Sequence, residues 1–357
     1  MNPVDVTPRQ LAALAKLCGQ SAVSTLESDR IANSTDCWPA TKIDIRDARL
    51  GVLPAVVVRP GTPEEVAKVL RYASEQKLPV TPYAEGSGVC GGAIPIAGGI
   101  SLDTKRLTRV LGLDEKSQLL HAESGINGEK LERYLNARGY TLGHFPSSIY
   151  TSTLGGWLAA RSAGQLSSLH GKIEDMVEAL EIALPDGRIA KEMVVPARAT
   201  GPNWQGLFVG SEGTLGVITA ATMKVKRAPA YRAFSSFLFT DLVSGWDTFR
   251  ELLQAGLRPA AMRLYDEVDT YLAGSSGGGE AKAGEVAEGY GDVFGAFYEV
   301  LRGSGFQRTL RGLVGGALGF SGLLNRALGM VPKQCKCIMV FEGEEDRCLL
   351  EQELVTE

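Results

Sequence analysis

Three stretches of this 357-residue chain offer more bare backbone and hydroxyl than a packed core would use. The first is Gly86-Ser87-Gly88-Val89-Cys90-Gly91-Gly92, into which a β-prone run from Leu78 to Tyr83 empties. Glycines placed after a strand leave several backbone N–H groups free to converge on an anion, most often the phosphates of a nucleotide, because no Cβ blocks the approach. The second runs from Gly143 to Trp157, is dense in Ser and Thr, and closes on Gly155-Gly156 before an Ala-rich segment, Leu158 to Ala163, expected to be helical. Hydroxyls and free N–H groups at a helix start favour phosphate or ribose oxygens. The third runs from Phe208 to Thr219, where Gly210, Gly213 and Gly216 interrupt a strand-like pattern. A strand passing close to a ligand tolerates that, and a free-standing one does not. Together the three imply an extended cofactor laid across several loops.

Two familiar phosphate-binding motifs are excluded. Gly86 to Gly91 spells G-x-G-x-x-G, but the dinucleotide fingerprint needs a helix opening at its third glycine and an acidic residue about 20 positions on. Here Pro95, Gly98 and Gly99 follow at once and cannot open a long helix. No Gly-Lys-Ser/Thr ends the run, so it is not a Walker loop either. Elsewhere, Arg263 stands in an apolar strand-like run, Met262-Arg263-Leu264. A guanidinium there needs a partner, which is either a substrate phosphate or carboxylate held through two hydrogen bonds or a structural acid such as Asp266 or Glu267.

The composition bounds the function class. With 44% hydrophobic and 22% charged residues the chain is ordinary globular material, long enough for two domains. A net charge of -4 argues against a nucleic-acid partner. Six scattered cysteines without a C-x-x-C and three histidines indicate neither a zinc site nor a disulfide framework, so no metal is expected and a reducing compartment is. The start, MNPVDVTPRQ, lacks the basic and apolar regions of a signal peptide, and no apolar stretch reaches the ~20 residues of a membrane span. A cytoplasmic location is the expectation.

The elements that must hold these stretches follow from caps and periodicity. Thr7 with Pro8 starts a helix through Leu11, Leu14 and Leu17, and Asp36 to Asp47 reads as irregular. Ala55 to Pro60 is an all-apolar strand, and Thr62-Pro63-Glu64-Glu65 opens a helix carrying Val66, Val69, Leu70 and Ala73 on one side. With Leu78 to Tyr83 these make a βαβ unit, so the glycine loop lies beyond the carboxyl end of a parallel strand, where ligands bind in α/β folds. Gly99 to Asp103, Gln118 to Glu123 and Val177 to Leu184 read as strands, and Asn127 or Gly128 caps a helix ending near Gly139. The second half reads as a strand at Phe234 to Phe239, a helix capped at Ser244 and a strand at Pro259 to Asp266. An insertion follows, then a strand at Cys335 to Gly343 and a helix to Thr356. Cys335, Cys337, Met339 and Phe341 alternate on one strand face and are read as core.

In order along the chain, Val57 to Pro60, Pro82 to Gly92, Pro146 to Trp157, Ile173 to Val177 and Gly210 to Ile218 resemble the FAD-binding domain of the vanillyl-alcohol oxidase and p-cresol methylhydroxylase superfamily. Within it, the chain is most similar to the alkylglycerone-phosphate synthases and their bacterial relatives. The resemblance covers roughly residues 40 to 270 and is most specific at Ser211 to Ile218. It implies an α+β fold, a two-subdomain FAD-binding domain followed by an incomplete α/β cap domain. The expected divisions are a lead at 1–50, the FAD-binding domain at 51–227 and the start of the cap at 228–357.

The same resemblance implies FAD and places its contacts. Pro82, Tyr83, Ala84, Glu85, Gly86, Ser87 and Gly88 are expected at the pyrophosphate. Ser147, Ser148, Ile149, Tyr150, Thr151, Ser152 and Thr153, with Ala160, Arg161, Ser162 and Ala163, are expected along the flavin and ribityl chain. Glu212, Gly213, Thr214, Leu215, Gly216, Val217 and Ile218 are expected near the isoalloxazine or adenine side. Relatives often carry glycines where this chain has Ala84-Glu85-Gly86, and a carboxylate at Glu85 repels a pyrophosphate unless it points away. No histidine stands in the glycine loop, where some members attach flavin covalently, so non-covalent FAD is expected. Arg263 matches an arginine implicated in synthase activity, and the catalytic acid or base is expected beyond the C-terminal end of this chain. Three functions stay open: exchange of the acyl group of acyl-dihydroxyacetone phosphate for a fatty alcohol, oxidation of a D-2-hydroxyacid, and a non-catalytic flavin-binding fragment. The substrate is a small molecule or lipid. Residues 298–333, basic at both ends and apolar between, read either as a disordered or core-packed loop or as a segment that touches a membrane surface peripherally, and a homodimer is left open.

Overall fold

The computed structural model describes residues 3–47, 49, 51–274 and 334–356, which form two compact units, Met1–Gln165 with Gly171–Arg227, and Leu166–His170 with Ala228–Glu357. Residues 298–333 lie outside the described residues. No described helix is long and apolar enough to cross a membrane.

The first unit begins with α1 (Pro8–Cys18), fixed by a reciprocal cap in which Gln10 N donates to Thr7 Oγ1 at 3.3 Å and Thr7 N to Gln10 Oε1 at 2.8 Å. Next come β1 (Val23–Ser24), α2 (Glu27–Ala32) and α3 (Pro39–Arg46). Helix α3 corrects the irregular reading of residues 36–47. Proline at its first turn presets the backbone, while Ile43 and Ile45 stay exposed and leave no apolar stripe to read. Nor is the 1–50 lead a separate body. Val23 pairs with Val58 and Ser24 with Val57, and Val6, Leu14, Cys18 and Ala22 share one core with Val56 and Val58.

Strand β2 (Val56–Val58) is buried throughout, as its all-valine run requires. Helix α4 (Pro63–Glu75) follows the Thr62 cap and buries Val66, Val69, Leu70 and Ala73, each large aliphatic contributing about 1.5–3 kcal/mol by leaving water. Strands β3 (Val80–Tyr83) and β4 (Ile100–Asp103) complete a sheet of order β1-β2-β4-β3, with β2 and β3 both parallel to β4. The βαβ unit is therefore present, with β4 between its two strands.

The second layer contains β5 (Val110–Asp114), β6 (Leu119–Glu123), α5 (Gly128–Asn136), β7 (Tyr140–Thr141) and α6 (Leu154–Ala160). After α7 (Ser167–His170), which groups with the second unit, come α8 (Ile173–Met176), β8 (Val177–Ala183), β9 (Ile189–Lys191), α9 (Gln205–Phe208), β10 (Val217–Lys224) and β11 (Lys226–Arg227). The sheet order is β5-β6-β10-β8-β9, antiparallel throughout, and β11 pairs with β7. Two expectations are corrected here. The helix read over 158–163 begins four residues earlier and ends at Ala160, because Thr153 caps it and Arg161 turns left-handed at φ 50°. The strand read from 208 begins only at Val217, because the glycine run before it folds as a loop.

In the second unit, β12 (Tyr231–Phe239), α10 (Leu242–Gln254), β13 (Ala261–Leu264), α11 (Glu267–Gly274), β14 (Cys335–Gly343) and α12 (Glu345–Thr356) build an antiparallel sheet of order β12-β14-β13. Asp241, not Ser244, caps α10, accepting from Ser244 N at 2.9 Å. Cys337, Met339 and Phe341 are buried on one face with Ala233, Phe237, Met262, Leu264 and the helix residues Phe249, Leu252 and Val355. The α+β reading therefore holds.

Candidate functional site

The glycine loop leaves β3 at the carboxyl end of the parallel strands. Tyr83 turns its ring into the protein, with its hydroxyl 2.9 Å from both Ala32 O and Thr35 O, and it lies so close under the loop that a Cβ on Gly86 would strike that hydroxyl. Burial, then the nearby Asp103 carboxylate, pushes this phenol up to about 12, and it stays neutral. Lys105 Nζ donates to Ala84 O at 2.7 Å and lies 3.1 Å from Asp103 Oδ2, placing a cation where the loop starts. Pro82, Ala84, Gly86 and Ser87 are half-buried, while Glu85 and Gly88 are exposed.

The far side of the loop wraps an aspartate. Asp36 Oδ2 accepts from Gly91 N at 2.8 Å, Asp36 Oδ1 accepts from Trp38 N at 2.8 Å, and Cys37 N donates to Gly88 O at 2.8 Å. Between these ties, the backbone N–H groups of residues 86–90 donate to no other described group. A run of unpaired N–H groups in a glycine loop is able to hold an anion. Asp36, a residue that sequence reasoning passed over, is what shapes it. Its only signal was its place before a Cys-Trp-Pro turn.

The hydroxyl-rich stretch behaves differently from its sequence reading. Leu154 N donates to Ile126 O, Gly155 N to Ser124 O and Gly156 N to Thr153 Oγ1, at 3.1, 2.7 and 3.2 Å. The first turn of α6 therefore has no spare donor for a phosphate, which corrects the expectation of an anion at this helix start. Ser152 accepts from Trp157 Nε1 at 2.8 Å and donates to Ser148 O at 2.7 Å, and Ile149 and Thr153 are buried. Ser147, Tyr150 and Thr151 remain exposed on the rim.

At the other end of α6, Ala160, Arg161 and Ala163 are exposed and Ser162 is half-buried. Ser162 Oγ lies 3.2 Å from Nε2 of His144, whose ring meets Trp157 edge-on with centroids 4.7 Å apart. His144 is 1% exposed, and its Nδ1 has no hydrogen-bond partner among the described residues. Burial pushes its pKa down to about 4 against the opposing pull of Glu174, so the ring is neutral near pH 7. An unpartnered buried ring nitrogen costs about 1–3 kcal/mol, which a polar ligand atom would recover.

The third stretch closes the site. Gly210 N donates to Leu158 O at 2.9 Å and Glu212 N to Ala159 O at 3.1 Å, fastening this loop to α6. Gly213, at φ 81°, lies so close to Pro82 that a Cβ there would stand 2.5 Å from Pro82 Cγ. Likewise a Cβ on Gly92 would strike the Glu212 carboxylate. The three stretches thus converge in one unit. Glu212, Thr214 and Leu215 are exposed, Gly213 is half-buried, and Gly216, Val217 and Ile218 are buried where β10 begins.

Residues 54–191 match the family described as FAD binding domain. The chain carries an FAD-binding domain, and its cofactor is FAD. The flavoprotein is 35% identical over 238 residues to an alkyldihydroxyacetonephosphate synthase of Caenorhabditis elegans, an alignment covering 66% of this chain and 40% of that protein. It is 34% identical over 258 residues to the uncharacterized FAD-linked oxidoreductase YgcU of Escherichia coli (strain K12), covering 72% and 53%. A solved alkyldihydroxyacetonephosphate synthase superposes with a TM-score of 0.78 at 24% identity, covering 100% of this chain and 61% of the other, which shows a shared fold. The flavoprotein spans about half or less of the length of the curated relatives it matches.

FAD fits the residues present. The unpaired N–H groups of residues 86–90, with Lys105 beside them, suit a pyrophosphate, and the orphaned His144 Nδ1 suits a polar atom of the cofactor. When bound, FAD supplies the electron-accepting chemistry that the protein's own side chains lack. The chain's own part is orientation. The Gly213–Pro82 seam holds two loops together, and Trp157 with Ser152 fixes the wall beside His144.

In the second unit, Arg263 is half-buried on β13, opposite Ile338 of β14. The register puts it on the same sheet face as Phe234, Ser236, Leu238, Lys336 and Val340. At the end of that face, the Glu342 side chain is 1% exposed and bonds to His170 and, at 2.9 Å, to Arg232. Burial alone would raise the Glu342 carboxyl. The His170 hydrogen bond and the Arg232 charge outweigh it and hold the group below the usual range. No sequence signal joined these residues, which stand far apart in the chain.

Proposed function

We propose that this flavoprotein acts as an alkylglycerone-phosphate synthase-like enzyme, exchanging the acyl group of acyl-dihydroxyacetone phosphate for a fatty alcohol. The observation that carries this reading is the second unit's sheet face. Arg263 shares it with Phe234, Leu238, Ile338 and Val340, of which Phe234 and Leu238 are 44% and 60% exposed. A cation on a face that exposes Phe234 and Leu238 suits an ester with a phosphate at one end and an alkyl chain at the other. In this reading the guanidinium exchanges its partner within the protein for the anionic end, which its planar fork suits, and Phe234 and Leu238 take the chain. The alkyldihydroxyacetonephosphate synthases among its relatives support the same reading. Arg263 alone would also serve a short 2-hydroxyacid carboxylate.

The protein expressed from the full-length gene, incubated with acyl-dihydroxyacetone phosphate and a radiolabelled fatty alcohol, should form labelled ether lipid. Arg263→Lys should lower that rate by about tenfold or more, because a point charge replaces a bidentate fork. Rapid dye reduction with D-lactate and no ether product would replace the synthase reading with a D-2-hydroxyacid dehydrogenase.

A further inference from the structure

Of the six cysteines, Cys18, Cys335, Cys337 and Cys348 are buried, whereas Cys37 and Cys90 are exposed. These two stand on adjacent segments. Cys37 N donates to Gly88 O at 2.8 Å, Gly91 N donates to Asp36 Oδ2 at 2.8 Å, and a Cβ on Gly91 would lie 3.1 Å from Trp38 Cε3. Residues 36–38 therefore run alongside residues 88–91, with one cysteine in the middle of each. Successive Cα atoms are about 3.8 Å apart, so Cys90 stands within roughly two residues' reach of the Cys37–Gly88 hydrogen bond. A disulfide asks for Cα atoms roughly 4.4–6.8 Å apart. Gly88, Gly91 and Gly92 beside Cys90 give the loop the freedom to close that gap.

We propose that Cys37 and Cys90 are a redox pair that closes into a disulfide on reaction with a low-molecular-weight disulfide of the glutathione type. One thiolate attacks the oxidant, breaking its S–S bond, forming a mixed disulfide and releasing one small thiolate. The second cysteine thiolate then attacks the protein sulfur of that mixed disulfide and releases the other. Two protein thiols are oxidised, one small disulfide is reduced to two thiols, and the two protons pass to the departing thiolates. The bond ties residue 90 to residue 37, across the N–H groups of residues 86–90. On the reading that FAD pyrophosphate occupies that cradle, drawing the loop toward Cys37 opposes flavin binding, and bound flavin opposes the cross-link by the same factor.

Flavin-free and flavin-loaded protein should be incubated with glutathione disulfide at graded ratios to glutathione, then digested without reduction for peptide mapping by mass spectrometry. The expected result is a Cys37–Cys90 linked peptide in the flavin-free protein, reversed by dithiothreitol, and about tenfold less of it when flavin is bound. Cys37→Ser or Cys90→Ser should leave the remaining cysteine carrying only glutathione. Separate glutathione adducts on both cysteines of the unmutated protein, with no linked peptide, would overturn the pair. Equal cross-linking in protein shown to hold flavin would leave the disulfide standing and overturn the placing of flavin on this loop.

Discussion

Gly213 sits against Pro82 so closely that a Cβ would stand 2.5 Å from Pro82 Cγ. Residues 131 positions apart in the chain thus form the seam between the glycine loop and the start of β10. The glycine is required there by protein contact and by its φ of 81°, not by space kept for a cofactor.

This separates two glycines that look alike in sequence. Gly213→Val should cost about 1–3 kcal/mol or more in stability and release flavin, through overpacking against Pro82 and a left-handed backbone. Gly88→Val has only Asp36 Oδ2 near its Cβ, at 3.7 Å, and should leave the melting temperature nearly unchanged while weakening flavin binding. Thermal unfolding and flavin titration of both variants, with Lys68→Ala as a surface control, check this. Equal melting temperatures for the two glycine variants would count against it.

Flavin should be released by acid precipitation, leaving a colourless pellet and a yellow supernatant. The glycine loop holds no histidine to carry a covalent link. Flavin remaining with the pellet would show a covalent bond elsewhere.

The neutral burial of His144 predicts a pH dependence with a definite sign. Its folded pKa is about 4 against 6.5 for the free side chain, so between these values the unfolded chain binds the extra proton. Stability should therefore rise from pH 4 to 6.5, with roughly 3 kcal/mol attributable to this group. His144→Gln should flatten that slope in denaturant unfolding measured at several pH values. An unchanged slope would remove His144 as its source.

In the second unit, Glu342→Ala should cost about 3–5 kcal/mol, because Arg232 and His170 lose the buried carboxylate between them. The carboxyl is held below its usual range, so its contribution is full above that range and is lost as pH falls through the lowered folded value. Urea unfolding of Glu342→Ala and of a Glu342→Leu, Arg232→Leu double variant tests the account. The double variant should recover much of the loss, and equal losses in both would contradict it.

Local chemistry determined much of this protein before any folding was seen. The Thr62 and Asn127 caps, the all-valine β2, the alternation of Cys335, Cys337, Met339 and Phe341, and the glycine loop after β3 were each legible within a few residues. Capping, periodicity and backbone freedom are short-range effects, so short windows of sequence carry them. What they could not carry was partnership. The start of α6 looked like an anion site until Ser124 and Ile126 supplied acceptors for its N–H groups. Likewise, the glycine loop gained its shape from Asp36, and Glu342 found His170 across 172 positions. Whether a polar group is free for a ligand depends on which distant residue the fold brings to it, and only the tertiary structure decided that.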